Sequence, residues 1–106
     1  MLLDDDYSIR AFIEKAKQMS WGNLVAYSHK EYRALQNLKL TPRNPLWGHK
    51  SRIEHYIHFV GEFCFLISQF ARPAGMTNEE FQTTKEVIES LVARNEIKQD
   101  VLNMYN

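Results

Sequence analysis

The stretch NPLWGHKSRIEHYIHFVGEFCFLISQFA, residues 44–71, decides the fold. Read as a helix it has a start and a stop. Asn44 is a capping residue and Pro45 would occupy the first helical position, where a missing N–H costs nothing. At the far end Arg72 precedes Pro73, which disfavours the α region for Arg72, and Gly75 follows. A helix over about 45–71 would be a rod of roughly 40 Å. At about 100° per residue, Ile53, Ile57, Val60, Cys64, Ile67 and Ala71 form one ladder, with Tyr56, Phe59, Phe63, Leu66 and Phe70 beside it. Together they are wider than the stripe of an ordinary surface helix. The remaining strip, Ser51, His55, His58, Glu62 and Gln69, is polar and is interrupted only by Phe65. A strand reading fails because Phe63 to Ile67 would put apolar groups on both faces. This is the pattern of a central helix with neighbours on two sides.

Outward from it, Ile9, Phe12, Ile13, Ala16 and Met19 predict an amphipathic helix over about 5–19, with Asp4, Asp5 and Asp6 supplying the cap. Ser20 and Gly22 mark a joint, which leaves open two helices or one kinked rod. Trp21, Leu24, Val25, Ser28, Tyr32 and Leu35 give a second stripe ending near Asn37, and residues 38–44 read as a loop. After Pro73 and Gly75, Thr77 with Glu80 forms a capping box, with Met76 and Phe81 placed as its hydrophobic staple. Phe81, Thr84, Val87, Ile88, Leu91 and Val92 then line the next helix, for which Asn95 is a fitting stop. A short fifth helix is expected near 98–104. The expectation is an all-α, up-down bundle of four main helices around the long central one, in a single domain over 1–106.

Composition narrows the function classes. With 13 basic and 13 acidic residues the formal charge is zero, which argues against a bulk polyanion binder. The single cysteine, Cys64, excludes an intrachain disulfide and falls on the apolar side, so a buried thiol is expected. Met1-Leu2-Leu3 runs into three aspartates without the features of a signal peptide, and no apolar run approaches a membrane span. A cytoplasmic protein without membrane contact is the default expectation.

Three features could carry chemistry. His55, His58 and Glu62 share one helix face, but three ligands on one helix do not close a tetrahedral metal site, and neither a metal nor another cofactor is expected. Between His29 and Arg52 six basic residues, Lys30, Arg33, Lys39, Arg43, Lys50 and Arg52, stand against Glu31 alone, a net +5, with Tyr27, Tyr32 and Trp47 interleaved. From Thr77 to Asn106 the net is −3, three basic residues against six acidic. Finally, Arg52 followed by His58 resembles the Arg-x(4–6)-His motif of HEPN-domain ribonucleases, which are all-helical and often dimeric. That resemblance implies His58 as the acid–base group and Arg52 as the stabiliser of phosphate charge. The two lie about 120° apart on the wheel, so they would cooperate only across a homodimer.

The leading expectation is a non-enzymatic protein of the inhibitor, immunity or adaptor type. Its contact strip would be Arg52, His55, His58 and Glu62, with Arg43 and Lys50 at the rim. A protein is the expected partner, with nucleic acid an alternative through the basic 29–52 region. The second reading is the homodimeric ribonuclease.

Overall fold

The computed structural model describes residues 7–69, 73–94 and 98, and among these it is helical without strands. Four α-helices follow one another: α1 (Ile9–Ala16), α2 (Trp21–Gln36), α3 (Lys50–Gln69) and α4 (Asn78–Ala93), with a 3-10 turn at Trp47–His49. The expected fifth helix and Asn95 lie outside the described residues.

The starts of α1, α2 and α4 are each set by a local side-chain hydrogen bond. Ser8, in extended conformation, accepts the Ala11 N–H on Oγ at 3.2 Å, so α1 begins at Ile9 rather than at residue 5. After Ala16 the chain tightens, with Gln18 N–H bonded to Lys15 O and Met19 N–H to Ala16 O. Ser20 then turns extended and accepts the Asn23 N–H. The joint at 17–20 therefore separates two helices. Thr77 and Glu80 form the reciprocal capping box, at 3.1 and 2.9 Å, that opens α4.

The central helix starts later than its sequence suggests. Asn44 does receive the Leu46 N–H on Oδ1, at 2.8 Å, but its Nδ2 also donates to Lys39 O across the loop at 2.7 Å. The residues that follow are drawn into a tighter turn, in which the Trp47 N–H reaches Asn44 O and the His49 N–H reaches Leu46 O. Regular α geometry begins only at Lys50, and α3 is 20 residues, or about 30 Å, long.

As far as Ile67 both apolar ladders of α3 are turned to the core, while Phe70 and Ala71 lie outside the described residues. Ile53, Tyr56, Phe59, Val60, Phe63, Cys64, Leu66 and Ile67 are buried, Ile57 is half-buried, and Phe65 on the polar side is 49% exposed. Helices α2 and α3 pack most extensively. They run antiparallel, because Tyr56 meets Glu31 near the start of α3 while Cys64, further along, meets Ser28, earlier in α2. Glycine suits the close approach: a Cβ at Gly61 would stand 2.8 Å from the Tyr32 ring.

Helix α1 packs on α4 and sends Phe12 into the centre. There the ring meets Phe59 and Phe63 edge-on, at 6.2 and 5.2 Å between centroids, and stacks on Tyr27 at 5.5 Å. Such contacts add roughly 0.5–1.5 kcal/mol per pair beyond area burial. Buried hydroxyls are satisfied within their own helices, Ser28 by Val25 O and Thr84 by Glu80 O. On the surface, Arg10, Glu14, Lys17 and Glu86 form a shared ion cluster between α1 and α4. Arg94, just past α4, donates from Nη2 to Lys17 O and Met19 O at 2.8 and 2.7 Å, and Ser90 Oγ donates to Lys17 O as well.

Candidate functional site: the polar strip and the cationic turn

The polar strip of α3 divides into two parts with different surroundings. Its later part faces the segment leading into α4. His58 Nε2 lies 3.2 Å from Gly75 O and 3.6 Å from Glu62 Oε1. Both neighbours are acceptors, so Nε2 carries the proton and donates to the carbonyl. A Cβ at Gly75 would stand 2.5 Å from Glu62 Oε1, so glycine lets this loop settle on the strip. One turn earlier, His55 Nε2 stands 3.4 Å from Glu80 Oε2. Glu80 therefore serves twice, since its Oε1 is the acceptor of the capping box. His55 and His58 remain at least half exposed, whereas Glu62 and Glu80 are largely covered.

The earlier part is open. Lys50, the first residue of α3, holds its ammonium 5.1 Å from the Trp47 ring centroid and 3.7 Å from Glu54 Oε2. Arg52 is exposed, and with His55 it borders a shallow depression of about 180 Å³ alongside Tyr7, Ser8 and Ile9. Arg43 is exposed on the connection between α2 and α3.

Because α2 and α3 are antiparallel, the end of α2, the connection and the start of α3 come together. Arg33, Lys39, Arg43, Lys50 and Arg52 thus lie at or near one end of the helical hairpin, with Lys30 six residues back from the end of α2. Among the described residues, Lys30, Arg33, Lys39, Arg43 and Arg52 are all exposed, and none has a carboxylate within 4 Å. Trp47, 39% exposed, lies on the same connection, under the Lys50 ammonium. Glu31, the one acid of the stretch, is turned inward and accepts the Tyr56 hydroxyl at 2.7 Å. With Glu31 bonded to Tyr56 and Lys50 paired with Glu54, five cations of the stretch are left without a carboxylate neighbour among the described residues, matching the +5 of the sequence count.

Other groups define what the molecule does not present. Cys64 is buried; burial pushes its thiol pKa up, offset in part by a hydrogen bond with Ser28. A thiol so placed is a poor nucleophile at neutral pH. Among the described residues no three His, Cys, Asp or Glu side chains converge as metal ligands, and no helix is long and apolar enough to cross a membrane. Arg52 and His58 border separate depressions, the latter formed with Tyr32, Ile57, Gly61 and Glu62.

Sequence reasoning placed the strip on one face but missed its intrachain partners, Gly75 and Glu80. Only the Glu80 half had a signal, since the capping box fixes that carboxylate at a helix start. It also missed the pairing of Glu31 with Tyr56. The trace there was a lone acid in a basic stretch, four residues after Tyr27.

Comparison with known proteins adds no relative: no family model, no curated protein and no solved structure matches this chain.

Proposed function

We propose that this is a non-enzymatic macromolecule-binding protein of the inhibitor, immunity or adaptor type, which captures a protein partner with an acidic surface. One observation carries the reading: among the described residues, Lys30, Arg33, Lys39, Arg43 and Arg52 are exposed with no carboxylate within 4 Å, on the stretch from α2 through the connection to the start of α3 that also exposes Trp47. Arginine and tryptophan are the residue types that dominate interface energies, and a one-signed patch steers an oppositely charged partner. Lys50, held over Trp47, shapes the same end. In this reading Arg52 and Lys50 belong to the contact surface together with Arg43. His55 flanks it, while His58 and Glu62 hold the α3–α4 loop beneath.

The test is capture from host extract, with and without nuclease, comparing the native chain with an Arg43→Glu/Arg52→Glu variant. A protein retained through nuclease treatment and lost on charge reversal supports the reading. Retention that disappears with nuclease would assign the surface to nucleic acid instead. Incubating the same preparations with RNA, beside an Arg52→Ala/His58→Ala variant, addresses the ribonuclease alternative. Cleavage by the native chain alone would replace binding with catalysis.

A further inference from the structure

A cleft of about 370 Å³ opens between α1, α2 and α3, and it shares no residue with the cationic surface. Its walls are aromatic: Tyr7 meets Tyr56 edge-on at 5.9 Å, and Phe12 meets Tyr56 edge-on at 6.3 Å while stacking on Tyr27. Two charges line it as well, Glu31 from α2 and Lys15 from α1. Glu31 is half-buried; Oε2 takes the Tyr56 hydroxyl, and Oε1 has no hydrogen-bond partner among the described residues. Lys15 is exposed and pairs with no carboxylate there, Glu31 included, so the two charges share the cleft more than 4 Å apart.

That combination is specific. Opposite charges on neighbouring helices ordinarily close into a pair, whereas here the gap between them lies within a space of small-molecule size, at the lower end of roughly 300–1,000 Å³. Aromatic walls at differing angles accept a flat apolar body face-on and edge-on. The carboxylate, with tyrosine rings around it, suits an ammonium group. The lysine suits a carboxylate.

We propose that this cleft is a binding site for a small aromatic zwitterion, of the class of free aromatic amino acids. The ligand ammonium would bond Glu31 Oε1, its carboxylate would meet Lys15, and its ring would lie among Tyr7, Phe12, Tyr27 and Tyr56.

The test titrates L-phenylalanine into the isotope-labelled full chain, following amide shifts and heat. Phenethylamine and 3-phenylpropanoate, each lacking one charge, run in parallel. Two variants are compared: Glu31→Gln, which keeps an acceptor for the Tyr56 hydroxyl, and Lys15→Met, at an exposed position. Saturable binding of L-phenylalanine with shifts confined to the cleft is expected. Each single-charge analogue and each variant should weaken it by about tenfold, the loss of one charge-assisted hydrogen bond. No saturable binding in the millimolar range overturns the proposal. So does phenethylamine binding as tightly as L-phenylalanine with Lys15→Met unaffected, because the site would then recognise only a cation.

Discussion

The closeness of α2 and α3 at Gly61 can be tested by a double-mutant cycle whose sign follows from the geometry. Gly61 sits mid-helix, where alanine is favoured by about 1 kcal/mol. Opposing that gain, an added Cβ would lie 2.8, 3.1 and 3.3 Å from Cε1, Cζ and Oη of Tyr32. Carbon atoms are comfortable at roughly 3.5–4.0 Å, so the ring must retreat by about 1 Å. Tyr32 is half-buried and has solvent on one side, which puts the overpacking cost near the lower end of about 1–3 kcal/mol. In the native background the two effects nearly cancel, and Gly61→Ala should change stability by no more than about 1 kcal/mol. In a Tyr32→Ala background the steric cost vanishes, and the same substitution should stabilise by about 1 kcal/mol. The coupling energy, about 1–2 kcal/mol, is read from urea unfolding of all four proteins by circular dichroism, with a common denaturant slope. Equal stabilisation by Gly61→Ala in both backgrounds would show that the helices do not approach as described.

The two parts of the polar strip should separate under mutation. Arg52→Ala should leave stability within about 0.5 kcal/mol while weakening partner capture, whereas His58→Ala should cost about 1 kcal/mol through the lost bond to Gly75 O, both read by chemical denaturation. Arg94→Ala frees the Met19 carbonyl and leaves Lys17 O to Ser90 alone, and should lower the melting temperature by about 4–8 °C, with Arg94→Lys intermediate. Alkaline pH should destabilise the fold. Burial, then the Glu31 hydrogen bond, raises the Tyr56 pKa above its ordinary 10.0, and burial raises Cys64 above 9.0. Above these ordinary values the unfolded chain has released protons that the folded chain keeps. Stability should therefore be intact below pH 9 and fall as pH climbs through 10 and beyond. Tyr56→Phe should flatten that decline in pH-dependent denaturation.

Periodicity made the centre of this fold legible. Whether Phe59 or Phe63 is buried depends on which face of α3 meets the core, and a run of ladders fixes that face without knowledge of the neighbours. Capping at Thr77 was equally local, since both partners lie within one turn. What escaped the sequence was competition between equally local options. Ser8 displaced the expected start of α1 at residue 5, although both it and the aspartates are good caps. Asn44 spends its amide on Lys39 O, a bond that exists only once the loop has closed, and α3 starts five residues later than its proline suggests. The candidate site was half legible for the same reason. The spacing of His55, His58 and Glu62 puts them on one face, but nothing near His58 announces a carbonyl 17 residues downstream.

Arg94 reaches back across most of the chain to grip the bend between the first two helices. Ribosomal synthesis makes that bend before its fastening, so the elbow waits, with two carbonyls turned to water, until α4 has been made. The geometry at Lys17 and Met19 therefore records whether α4 has docked.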